Sequence, residues 1–214
     1  TSDQLEEILT VKGRLYAQIK IDEGENLGPA RIRIRSLLAA MRDRKGREDA
    51  PPAMPVYKGS PPYTEAMRET HTILIPQLSP MHFQFLETIF EADGYKCAQL
   101  PEVTKAAVET GLRHVHNDAC FPAIVVVGQL LHTVRSGAFD PERIALMISQ
   151  TGGGCRATNY IAFLRKALVD AGLEHIPIVS FNMDGLDKNP GFRLTRKMLR
   201  RIIMAGFYGD ALMR

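Results

Sequence analysis

The chain has 214 residues, 45% hydrophobic and 24% charged, the balance of a globular protein with one sizeable core or one core plus an appendage. A net charge of +3 is too small to argue for a nucleic-acid partner, and no apolar run reaches the roughly 18–20 residues of a bilayer span, so neither nucleic acid nor membrane is expected. The opening residues, TSDQLEEIL, have no initiator Met and no signal-peptide layout, and three cysteines imply no disulfide framework; the expectation is a cytoplasmic chain, cut from a longer protein or processed.

Residues 1–49 are charged and irregular apart from a basic amphipathic stretch, Ala30 to Arg47, with Ile32, Ile34, Leu37, Leu38 and Met41 on its apolar side. Its arginines read as a solvated helix face. Residues 50–70, with PPAMP and SPPY, read as an extended Pro-rich linker. Residues 71–214 alternate strands and helices. His71 to Pro76 is a short buried strand, Pro80 to Ala92 a helix ended by Gly94, and Tyr95 to Leu100 a second strand. Helices are predicted over Glu102 to Leu112 and Phe121 to Val134, then a strand over Ile144 to Ser149. Arg156 to Ala171 is an amphipathic helix closed by Gly172, Ile176 to Phe181 a fourth strand, and Leu194 to Met213 a basic final helix. Strands separated by helices of this length imply βαβ units: an α/β fold with a parallel sheet of about four strands, flanking helices, and a partly irregular helical N-terminal extension. Ligands of such sheets sit beyond the carboxyl ends of the strands, here the loops Gln77 to Ser79, Asn117 to Cys120, Gln150 to Cys155 and Asn182 to Gly185.

The strongest local signal is Gln150-Thr151-Gly152-Gly153-Gly154-Cys155-Arg156. Three glycines between a buried strand and a helix let backbone amides approach a ligand closely. A cysteine in the first helical turn sits beside free N–H groups and a partial positive charge, which favour the thiolate. The bland alternative is a tight turn with a buried cysteine; a phosphate cradle lacks the usual glycine–lysine patterns. The second signal is HVHNDACFP, residues 114–122, where Cys120 precedes a helix, Pro122 suits its first turn, and Asn117 or Asp118 could cap it. In a parallel sheet both cysteines fall at one edge, and two soft thiolates there suit a soft metal or an iron–sulfur cluster. Zinc held by His114, His116, Cys120 and Cys155 is a competing reading, although no strong zinc spacing is present. Cys97 reads as a small core residue, His71, His82, His132 and His175 as surface or helix-end residues, and no Ser/His/Asp arrangement is legible.

From Asn117 to Tyr160, including QTGGGCRATNY, and again at NPGF (189–192), the sequence resembles the C-terminal part of large bacterial CoA-substrate-specific enzyme activases. These look like fusions of an ATPase activator with segments similar to the 2-hydroxyacyl-CoA dehydratase and benzoyl-CoA reductase subunit family. The resemblance covers about residues 70–214 and implies a flavodoxin- or Rossmann-like lobe. It further implies a 4Fe-4S cluster with Cys120 and Cys155 as metal ligands, and a third cysteine outside this chain. Gly152, Gly153, Gly154, Arg156 and Asn117 would border the cofactor, although this family usually has Asp where Arg156 stands. The partners implied are the other lobe and the ATPase activator portion of the same protein, and a CoA thioester. The chemistry implied is ATP-coupled, low-potential electron transfer in a dehydratase, a reductase or its activator, with the isolated chain inactive and able to lack its cluster. Two alternatives stand beside this: a non-catalytic docking module for the activator or a partner subunit, and a thiol enzyme with Cys155 as nucleophile.

Overall fold

The β-branched and aliphatic runs of the second half become four short strands, β1 (Thr72–Ile75), β2 (Lys96–Gln99), β3 (Ile144–Ser149) and β4 (Ile178–Phe181). A computed structural model describes residues 27–44, 60–115, 119–150, 156–181 and 189–214, with Leu5, Ile8, Leu9, Lys12 and residues 14–19 near the start. It divides into two units, Thr1–Lys58 and Gly59–Arg214.

In the first unit, helix α1 (Gly28–Arg44) covers most of the expected basic stretch. Its Ile32, Ile34, Leu38 and Met41 are exposed, so the expected apolar side is not a buried stripe. Residues 32 and 34 lie about 200° apart around a 3.6-residue helix, and no single face collects them.

The second unit carries short α2 (Met67–Thr70), then α3 (Pro80–Glu91), α4 (Lys105–His114), α5 (Phe121–Arg135), α6 (Tyr160–Asp170) and α7 (Arg196–Leu212). Among the described residues all strand pairs are parallel, in the order β2-β1-β3-β4. Over four strands this is the order of a flavodoxin-like doubly wound sheet. Alternate strand residues feed two cores. Leu74, Ile144, Leu146, Ile148 and Ile178 pack with α5 and α6 on one face. Ile73, Ile75, Cys97, Met147 and Val179 pack with α3 and α7 on the other. The chain leaves β1 toward β2 but leaves β3 toward β4, so a crevice opens beyond the carboxyl ends of β1 and β3.

Helix starts follow local chemistry. Thr104 and Thr195 cap α4 and α7 by accepting from the amides of Ala107 and Met198, and Pro80 and Pro122 occupy first turns where an N–H is dispensable. α4 and α5 touch at glycines: a Cβ on Gly111 would lie 2.0 Å from the Ile124 carbonyl oxygen, and one on Gly128 2.2 Å from that of Ala107.

The end of the expected linker belongs to this lobe. Tyr63 is fully buried in the α3/α7 core. Its amide donates to Asn189 Oδ1 at 3.3 Å, and the Gly191 amide donates to its carbonyl at 2.8 Å. A Cβ on Gly191 would sit 2.1 Å from the Thr64 carbonyl oxygen, so the NPGF turn is a clamp that needs glycine at its third position. Residues 50–59 of that linker lie outside the described residues.

Candidate functional site

Two groups of side chains gather at the carboxyl edge of the sheet, one on each face. On the α5/α6 face, Cys120 is itself the N-cap residue of α5, in extended conformation (φ −64°, ψ 143°), with no side-chain cap hydrogen bond. Asn117 and Asp118, the expected capping residues, lie outside the described residues. The half-buried thiol turns instead to α6, where Cys120 Sγ lies 2.9 Å from Tyr160 Oη. Tyr160 is the first residue of α6, preceded by a 3-10 turn, Arg156–Asn159. The sulfur therefore meets the first residue of the helix that follows the Gln150–Cys155 loop, with the free amides and partial positive charge of the α5 start behind it. Cys155, Gly152, Gly153, Gly154 and Asn117 lie outside the described residues, as does the side chain of Arg156, whose backbone opens the 3-10 turn.

Two sequence-level ligand candidates are separated from Cys120. His114, the last residue of α4, accepts from Arg135 Nη1 through Nε2 at 3.1 Å when that nitrogen is unprotonated. Arg135 ends the 15-residue helix that Cys120 begins. At about 1.5 Å per residue that helix is roughly 22 Å long. His114 thus stands at the far end, where burial and then Arg135 hold its pKa below the ordinary histidine value. His114 is thus set apart from Cys120, while His116 and Cys155, the other two residues of the zinc reading, lie outside the described residues. Cys97 packs on the opposite face, 7% exposed, as the core reading expected. Among the described residues no three His, Cys, Asp or Glu side chains are grouped to hold a metal ion.

On the α3/α7 face lies a group that was not legible. Ser79 is the N-cap residue of α3, yet its hydroxyl caps no backbone amide. Ser79 Oγ is 2.8 Å from His82 Nδ1, and His82 Nε2 is 3.1 Å from Asp210 Oδ1 on α7. A carboxylate only accepts, so it fixes the neutral imidazole with its proton on Nε2 and leaves Nδ1 to accept from the serine. Beside this relay is a cavity of about 290 Å³ lined chiefly by Ile75, Leu78, Phe83, Met147, Phe181 and His82. It opens at the carboxyl ends of β1, β3 and β4, where the doubly wound topology puts ligands.

No family model, no curated protein and no solved structure matches the chain.

The Ser79-x-x-His82 spacing at a helix start was the available signal for the missed group, since N-cap and N3 residues face one another. Asp210 carried none: it lies 128 positions from His82 and reaches it only through the packing of α7 on α3.

Proposed function

We propose that residues 59–214 form an iron–sulfur-binding lobe of a protein like the 2-hydroxyacyl-CoA dehydratases, with Cys120 and Cys155 as its thiolate ligands. The observation that carries the reading is the 2.9 Å approach of Cys120 Sγ to Tyr160 Oη. It brings a half-buried sulfur at the carboxyl edge against the helix that follows the Cys155 loop. The donor set fits a soft metal: a thiol at a helix start, with a hydroxyl placed to donate to it once ionised. When bound, a 4Fe-4S cluster would supply one-electron chemistry at low potential.

Within this reading Cys120 holds iron, and Tyr160 hydrogen-bonds the ligating sulfur, which draws charge off it and favours the reduced form. Ile124 and Ile161, each 3% exposed, form the dry layer beneath. The third thiolate comes from another segment, because Cys97 is on the opposite face. By resemblance that segment is the other lobe, the ATPase portion is the electron donor, and a CoA thioester is the acceptor.

The test is anaerobic reconstitution with iron and sulfide, with excess small-molecule thiol filling the remaining positions. The expected result is bound iron with visible absorbance, lost in Cys120→Ser and in Cys155→Ser. Tyr160→Phe should keep the iron but shift the midpoint potential negative. Iron content and absorbance unchanged in both serine variants would refute the proposal.

A further inference from the structure

We infer that Ser79, His82 and Asp210 form a second, independent site: an acyl-transfer centre that hydrolyses small uncharged carboxylic esters, the acyl group lying in the adjoining apolar cavity. It does not depend on the cluster, since Cys120 lies against the other face of the sheet.

A serine at an N-cap ordinarily accepts from the amide two or three residues on. Ser79 does not, and its hydroxyl is spent on His82 Nδ1 at 2.8 Å. A mechanical tie between α3 and α7 would need only the His82–Asp210 contact and gives no reason for this choice. Two consequences favour chemistry. The hydroxyl faces a nitrogen that can take its proton, the arrangement that activates a serine nucleophile. The Ser79 side chain caps neither first-turn amide, Met81 nor His82, and in this centre those amides receive the oxygen of the carbonyl. His82 lines a cavity of about 290 Å³, close to twice the ~150 Å³ that accepts benzene. Its walls are aliphatic and aromatic, which suits a short aliphatic or aryl acyl group and excludes a charged one.

The reaction balances with water alone. Ser79 Oγ attacks the ester carbonyl carbon while its proton passes to His82 Nδ1. The tetrahedral adduct collapses, the C–O bond to the alcohol breaks, and the alcohol leaves with that proton. Water then attacks the acyl-serine carbonyl, giving a proton to His82, and the acid departs as Ser79 Oγ takes it back. Ester and water become acid and alcohol. Asp210, with its side chain 75% exposed, is a positioning residue that fixes the tautomer.

The test uses the whole chain, p-nitrophenyl esters of increasing acyl length and a fluorophosphonate probe. The expected results are slow hydrolysis favouring medium acyl chains, and covalent probe recovered on the peptide bearing Ser79. Ser79→Ala and His82→Gln should remove both at unchanged thermal midpoint. Asp210→Asn should lower kcat about tenfold with KM unchanged, less than the ~10⁴ of a buried triad aspartate, and Asp210→Glu should restore much of it. Gly206 lines the cavity and a Cβ there meets nothing within 4 Å. Gly206→Leu should therefore raise KM for longer esters more than for acetate. A wild-type chain that neither hydrolyses nor labels, hydrolysis that survives Ser79→Ala, or probe on another residue would each overturn the proposal.

Discussion

Tyr63 and Cys97 share the α3/α7 core, and burial keeps both protonated. For Cys97 burial, then Glu91 and Glu87, pushes the thiol from 9.0 up to about 12. For Tyr63 burial, then Cys97 and Tyr95, pushes the phenol from 10.0 up to about 12. Above pH 9 the unfolded chain loses protons that the folded chain keeps, so stability falls as pH rises. Chemical unfolding midpoints should be level below pH 9 on this account and then decline toward pH 12, and Cys97→Ala should remove the earliest part of the decline. The Tyr63 hydroxyl is buried without a hydrogen-bond partner. Leaving a buried donor unmet costs about 1–3 kcal/mol, so Tyr63→Phe should stabilise the lobe by about 1 kcal/mol in urea unfolding, against the usual trend for core substitutions. Cys97 was legible in the sequence because the strand alternates around it. Tyr63 was not, because prolines on its N-terminal side read as linker and its partners lie beyond residue 188.

Among the elements, strand and helix identities were readable from periodicity, and departures occur where backbone chemistry intervenes. The fourth strand begins at Ile178, two residues late, because Pro177 has no amide for the ladder and contributes only its carbonyl, which accepts from Leu146. α6 begins at Tyr160, four residues late, because Arg156–Asn159 winds more tightly as a 3-10 turn. The α4–α5 crossing left no trace in periodicity, since glycine reads as a neutral helix residue. It makes a clear prediction. Gly128→Ala gains about 1 kcal/mol in helix propensity, yet the new Cβ would lie 2.2 Å from the Ala107 carbonyl oxygen. Overpacking of this kind costs about 1–3 kcal/mol, and more when the obstacle is backbone. The substitution should therefore lower the thermal midpoint, and Gly111→Ala should do the same.

At the scale of the molecule, alternation of elements was enough to indicate a parallel sheet but not its strand order. The inner position of β1 and β3 is visible afterwards in their buried residues, while Lys96 keeps β2 at an edge. That order puts the β1 and β3 loops side by side, and it gathers Cys120 with Tyr160 on one face and Ser79, His82 and Asp210 on the other. Candidate ligands in the loops were legible as motifs; their sorting onto two faces was not, because it depends on which way each crossover turns. The clamp between residues 63 and 191 is likewise a property of the whole. Gly191→Ala should lower the unfolding free energy measured in urea by about 1–3 kcal/mol while leaving the helix content of the folded state unchanged by circular dichroism, because it strikes a turn against the Thr64 carbonyl.

The buried Tyr63 has a practical corollary for anyone dividing this protein into pieces. A cut before His71, where the repeating pattern starts, would discard the phenol ring and leave an empty socket beneath the last helix. Losing a large aromatic side chain from a core costs about 3–5 kcal/mol, a large share of the roughly 5–15 kcal/mol that holds a domain together. A piece trimmed by pattern alone should be prone to aggregation, whereas one beginning at Gly59 keeps its stopper.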